Sequence, residues 1–147
     1  MVASRHGRIV FVGTEAAFDA GVQTTPDAEV IDAGGGTVLP GFVDPHTHLL
    51  FAGSREEEFE RRLGGATYME IMRAGGGIMS TVRATRAASV ETLAQEALPR
   101  LRRMLAHGTT SAESKTGYGL TTADELKMFD AMRRLETLQP VELTPTF

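Results

Sequence analysis

The sequence predicts an α/β fold made of parallel βαβ units, preceded by a short β region. Beyond about residue 40, apolar strands alternate with amphipathic helical stretches, and that alternation implies parallel strands joined by right-handed crossovers. Before it, short apolar runs are divided by turn residues, the pattern of a small β unit. Length sets the third constraint. A closed (β/α)8 barrel takes about 250 residues, so the 147 residues here cannot complete one. The chain therefore reads as a fragment with pieces of two domains, residues 1–39 and 40–147, neither complete.

The elements follow in order. Residues 8–12 form a strand between turn glycines, with no earlier strand predicted to pair with it, and residues 29–31 form another. Between them, Gly21, Pro26 and Asp27 mark turns. A strand over 41–48 opens the second part, and a long irregular excursion over 49–89 follows. Connections above about 12–15 residues within a compact domain are usually functional, so this excursion is expected to form a wall of the active site. It holds one short helix over 68–74, where Thr67 and Glu70 make a capping box and Gly75 stops the helix.

A second helix spans 90–107 with Ser89 as its cap. Leu93, Ala94, Ala97, Leu98, Leu101, Met104 and Leu105 form its apolar stripe, and Pro99 is expected to kink it. Gly108 ends it, and 109–115 is the next strand. A third helix opens with a capping box of Thr122 and Glu125, turns Leu126, Phe129, Met132 and Leu135 inward, and stops at Gln139-Pro140 before a final strand over 141–147.

Composition is ordinary for a globular protein, 41% hydrophobic and 23% charged. With no cysteine there is neither a disulfide framework nor a thiolate metal site. The first residues lack the apolar core of a signal peptide, and no apolar run approaches the roughly 20 residues of a membrane span. Net charge is −4 with basic residues scattered among acidic ones, which argues against a nucleic-acid partner. A cytoplasmic protein with a small-molecule substrate and no membrane partner is the expectation; a homo-oligomer stays open.

The most specific chemical signal is His46-Thr47-His48 at the end of an apolar strand. Alternation puts both histidines on one face with Cβ atoms about 6–7 Å apart. That is close enough for both imidazoles to reach one ion at about 2.0–2.1 Å. The structural alternative is a pair of strand-end histidines bonded to backbone.

Residues 38–59, VLPGFVDPHTHLLFAGSREEEF, resemble the first barrel strand of the amidohydrolase superfamily. Within it, the segments Tyr68-Met69-Glu70-Ile71-Met72, Ser80-Thr81-Val82-Arg83, Glu113-Ser114-Lys115-Thr116-Gly117-Tyr118-Gly119-Leu120 and Glu125-Leu126-Lys127-Met128 are similar to the imidazolonepropionase family. The resemblance runs from Gly7 onward. It implies a partial TIM-like (β/α) barrel over 40–147, preceded by part of a small β-sandwich domain over 1–39. It also implies one divalent or trivalent metal ion, zinc or iron, held in part by His46 and His48, with a further His and an Asp from later barrel strands absent here. His6 and His107 cannot substitute, since one precedes a surface turn and the other closes a helix.

Three substrate-binding candidates follow. Arg55, seven residues after the metal strand, reads from sequence as a solvated partner of Glu56, Glu57 and Glu58; the resemblance makes it the arginine that holds the substrate, and a guanidinium grips a carboxylate by two parallel hydrogen bonds. Tyr118 stands between flanking glycines just after a strand; the alternative is a structural tyrosine, and the resemblance implies a substrate contact. Tyr68 is a further candidate of the same kind, equally compatible with packing. Glu113 and Lys115 read as a polar pair on one strand face, Arg83 and Arg86 as a solvated face, and Gly75-Gly76-Gly77 as a helix stop and hinge without phosphate-loop spacing. No catalytic acid or base is identified within these residues.

The function implied is metal-dependent hydrolysis of the cyclic amide of 4-imidazolone-5-propanoate to N-formimidoyl-L-glutamate in histidine degradation, by a fragment inactive alone. The alternatives are another amidohydrolase, such as a cyclic amidase or nucleobase deaminase, or a non-catalytic truncated chain.

Overall fold

A computed structural model describes all residues, Met1–Phe147. The chain divides into two compact units, Met1–Leu39 and Pro40–Phe147. In the first, strands β1 (Val2–Arg5) and β2 (Arg8–Val12) pair as an antiparallel hairpin. Arg8–Val12 thus has the earlier partner that sequence reading did not find. The hairpin closes on His6 and Gly7, both at positive φ (51° and 72°), as a two-residue turn of this twist requires. A His-Gly pair is a weaker turn signal than Asn-Gly, which is why the hairpin was hidden.

Helix α1 (Glu15–Gly21) follows, capped by Thr14, whose hydroxyl accepts from the Ala17 amide at 3.3 Å. Its Phe18 meets Phe11 of β2 edge-on at 5.5 Å. Turns were expected here, but Thr14 followed by Glu15-Ala16-Ala17 is a cap before good helix formers. Residues 29–31 are not a strand: Val30 and Ile31 are 83% and 82% exposed and pair with no neighbour. Two adjacent apolar side chains are too weak a signal without an edge to join.

The second unit contains a three-stranded parallel sheet in the order β3 (Phe42–Thr47), β4 (Thr109–Lys115), β5 (Glu142–Thr146). Between β3 and β4 lie α2 (Glu56–Leu63), α3 (Tyr68–Arg73), α4 (Ile78–Ala87) and α5 (Val90–Ala106); α6 (Thr122–Glu136) joins β4 to β5. The mixed α/β character is as expected. The excursion over 49–89 is more helical than predicted, however, because α2 and α4 occupy stretches read as a charge run and as a solvated face. In α2 a run of exposed charged residues masks the helix, and in α4 only Thr81, Val82 and Thr85 are buried, too narrow a stripe to signal one.

The core lies between the sheet and α5 and α6. Leu93, Ala94, Ala97, Leu98 and Leu101 of α5 are buried as predicted, and α5 continues through Pro99 as one helix; Met104 is only partly covered and Leu105 is exposed. Alternation along β4 turns Ala112 and Ser114 toward the helices, leaving Glu113 and Lys115 on the opposite face. In α6 the buried row is Glu125, Met128, Ala131, Met132 and Leu135. Leu126, predicted to point inward, is 53% exposed, and Phe129 stacks on Phe147 at 6.3 Å. The capping residue is Thr121, which accepts from the Asp124 amide at 3.2 Å, not Thr122. Both errors share a cause: Glu125 is turned inward to bind a loop.

Candidate active site

The carboxyl ends of parallel strands are where open α/β sheets gather ligands, and the candidate residues of this chain cluster there. Thr47 ends β3 with His46 just before it and His48 just after, and Tyr118 follows β4. The two imidazoles lie 5.2 Å apart, edge to face, and both are exposed. Two imidazoles on one tetrahedral ion at about 2.0–2.1 Å place their ring centres about 5 Å apart, so the pair fits a shared ion. No group of three or more His, Cys, Asp and Glu side chains in this structure gathers to hold a metal.

Pro45 explains how this strand end is shaped. Proline has no N–H to give to the ladder, and the β3–β4 register shifts between Asp44 and Thr47. A side chain takes over: Glu113 Oε2 accepts from the Thr47 amide at 3.2 Å, while the Thr47 hydroxyl donates to the Glu113 carbonyl at 2.6 Å. Glu113 also accepts from the Thr146 hydroxyl of β5, and its Oε2 lies 3.7 Å from His46 Nδ1. The Thr146 hydroxyl, against partial desolvation and together with the Thr47 amide and the charge of Lys115, holds the Glu113 carboxyl below the usual range. Lys115 donates to the Phe147 carbonyl at 2.6 Å, so Glu113 and Lys115 share a face without bonding to each other.

Tyr118 is set by its neighbours. Gly117 sits at φ 129°, and a Cβ on Gly119 would stand 2.6 Å from the Glu125 amide nitrogen, so neither position admits a side chain without movement. The buried Glu125 carboxylate gathers this loop, accepting from the Gly117 amide at 2.8 Å and the Leu120 amide at 2.6 Å. Burial pushes its pKa up, but the bonds from Leu120, Thr116, Gly117 and Gly119 outweigh this and hold it below the ordinary value. Arg86 donates to the Gly119 carbonyl at 2.6 Å and pairs with Asp124 at 3.5 Å, so it is a tie to this loop and not merely part of a solvated face.

Because the folded pKa of Glu125 is depressed, its stabilising contribution is complete above the unfolded value of about 4.3 and is lost as pH falls through the folded one. Glu125→Gln is expected to cost about 1–3 kcal/mol and to flatten the acid dependence. Hydrogen exchange at the Gly117 and Leu120 amides checks this; protection equal to wild type at pH 7 would refute the role.

The Tyr118 ring meets His48 at 5.7 Å and Phe51 at 6.0 Å, both edge-on. Arg100 of α5 lies 3.6 Å over the Phe51 ring and donates to the Leu49 and Phe51 carbonyls at 2.9 and 3.1 Å. Arg55, Phe51, Arg100 and Tyr118 share the lining of a cleft of about 440 Å³. Arg55 is also the N-cap of α2, and its Nε donates to Glu58 Oε2 at 3.0 Å. Glu58 is largely covered, with a side chain 15% exposed, and accepts from the Gly77 amide at 2.9 Å, so the acidic run is not uniformly solvent-facing. Tyr68 opens α3, is 57% exposed and does not line the cleft.

Sequence reading did not single out Arg100, Phe51, Glu58 or Glu125 as parts of the site. Their roles depend mainly on contacts with residues distant in the chain, up to 51 positions away, and no local spacing encodes those.

A sequence model of the amidohydrolase family matches residues 29–76. The chain is 60% identical to the imidazolonepropionase of Myxococcus xanthus over 99% of its own length, and 56% identical to that of Symbiobacterium thermophilum over 99%. Its similarity to imidazolonepropionases runs over nearly the whole of its own length. The imidazolonepropionase of Caulobacter vibrioides is 53% identical across all 147 residues. This chain spans about a third of the length of these imidazolonepropionases, 34%, 34% and 36% respectively. No helix is long and apolar enough to cross a membrane.

Proposed function

We propose that these residues form part of the active site of an imidazolonepropionase, which opens the cyclic amide of 4-imidazolone-5-propanoate with water to give N-formimidoyl-L-glutamate. The observation that carries the reading is the His46–His48 pair, spaced for one ion, beside a cleft that Tyr118 and Arg55 line. The identity to imidazolonepropionases across the chain supports the substrate. In this reading residues 40–147 are the first βα units of a TIM-like barrel and residues 1–39 a part of a flanking β-sandwich.

His46 and His48 would supply two nitrogen ligands to the metal, zinc or iron. The ion, when bound, supplies Lewis acidity toward water and the ring carbonyl. The protein's own residues hold and orient. Arg55 retains donors beyond the one given to Glu58 and grips the propanoate carboxylate as a fork. The Tyr118 ring, supported by Phe51, forms an aromatic wall beside His48 against which a planar imidazolone lies, and its hydroxyl offers a hydrogen bond. Tyr68, at the start of α3, is a further substrate contact in this reading.

Turnover by the full chain separates this from other amidohydrolase activities. Imidazolone propanoate is expected to be hydrolysed at a kcat/KM at least about 10³ above hydantoin, guanine or cytosine, since a missing carboxylate strands the guanidinium that should bind it. Preference for a substrate without the propanoate arm would reject the assignment.

A further inference from the structure

Sequence reading leaves Glu113 as one half of a polar strand pair. Its surroundings give it more to do. The carboxylate accepts from the Thr47 amide at 3.2 Å and from the Thr146 hydroxyl, so it joins β3 to β5 across the strand between them. Thr47 is the residue between the two histidines, at the point where Pro45 interrupts the ladder and the register slips. The same Oε2 faces His46 Nδ1 at 3.7 Å. Glu113 thus reaches both the backbone and the ring of the histidine strand.

We propose that Glu113 is a positioning residue for the metal pair: it fixes the Thr47 backbone between the histidines and favours a proton on His46 Nδ1, leaving Nε2 as the ligand nitrogen. The chemistry is general. A neutral imidazole carries one N–H, and a carboxylate beside Nδ1 selects the tautomer in which Nε2 keeps its lone pair, orients the ring and raises ligand basicity. The second bond, from Thr146, holds the carboxylate from β5 and stops it rotating toward solvent. His48 lacks a carboxylate partner of this kind and is braced instead by the Tyr118 ring at 5.7 Å. The two ligands are therefore held by different devices, one electrostatic and one by packing. The inference rests on the metal reading of His46 and His48.

Glu113→Gln isolates the charge, because the amide oxygen can still accept from Thr47 and the amide nitrogen can donate to the Thr146 hydroxyl. In the full chain, zinc affinity measured by competition with a chromogenic chelator is expected to fall about 10–100-fold, with the unfolding midpoint of the metal-free protein unchanged. Zinc binding equal to wild type would overturn the proposal. Histidine nitrogen NMR on the metal-free wild-type chain gives a second test that needs no variant: the Nδ1–H tautomer at His46 is expected, and the Nε2–H tautomer would overturn it. The H46A/H48A variant separates the two levels. If it still binds zinc, the metal reading fails; if it does not while Glu113→Gln binds normally, only the role of Glu113 fails.

Discussion

Replacing His46 and His48 together with alanine in the full chain is expected to abolish bound metal and to lower kcat/KM for imidazolone ring opening by at least about 10³. The magnitude follows from the several kcal/mol of transition-state stabilisation that a metal supplies, at 1.36 kcal/mol for each tenfold in rate. The fold should survive. Both rings are exposed, with the His46 side chain 63% accessible, and the neighbouring core residues Leu49 and Leu50 are untouched. Metal content and thermal unfolding measured on the same sample therefore separate loss of the site from loss of the protein. Stoichiometric metal in the double variant would remove the basis of the proposed chemistry.

The parts of this fold that could be read from sequence are those whose signals are local. β3, β4, α3 and α5 each carry their own start, stop and periodicity: Thr67 with Glu70, Ser89 before a seven-residue apolar stripe, Gly108 after it. The missed elements lack such autonomy. The β1–β2 hairpin depends on a His-Gly turn, and α2 and α4 are stretches of charged or small residues whose helicity is decided by what they dock on. In α6 hydrophobicity turns Leu126 inward and leaves Glu125 as a cap, and the structure reverses both. A buried carboxylate is improbable on hydrophobicity alone, and here it is allowed only because backbone amides of the 116–120 loop converge on it.

The site divides in the same way. His46, His48 and Tyr118 were nameable because motif and strand end coincide, and the structure places their rings in a row, 5.2 and 5.7 Å apart. What orients them was not nameable. Glu113, Glu125 and Arg100 act through backbone groups of other segments, and a backbone acceptor or donor leaves no trace in residue identity. Glu58 shows this most plainly: three consecutive glutamates look equivalent in sequence, and only the third reaches the Gly77 amide.

Arg55 is where this matters for specificity, and Arg55→Lys is the second large effect expected. Two readings compete for the residue: a surface ion pair with Glu58, and a clamp on the substrate carboxylate. The structure shows the first contact, Nε to Oε2 at 3.0 Å, with Arg55 on the lining of the cleft that Tyr118 shares. The contacts are compatible, since one nitrogen of the fork is engaged by Glu58 and the terminal nitrogens stay available. Arg55 is the more exposed partner of this pair; a surface ion pair contributes about 0–1 kcal/mol, and lysine keeps the charge beside Glu58, so stability should change little. Two hydrogen bonds to a carboxylate contribute about 1.5–3 kcal/mol each. Lysine preserves the charge and forfeits the fork, so KM for imidazolone propanoate is expected to rise about 10–100-fold, with kcat far less affected because the carboxylate is bound alike in ground and transition states. A substrate analogue without the carboxylate should be turned over equally by both proteins. If Arg55→Lys leaves KM unchanged, the arginine serves only to hold Glu58 against the start of α4, and the carboxylate must be bound by another group.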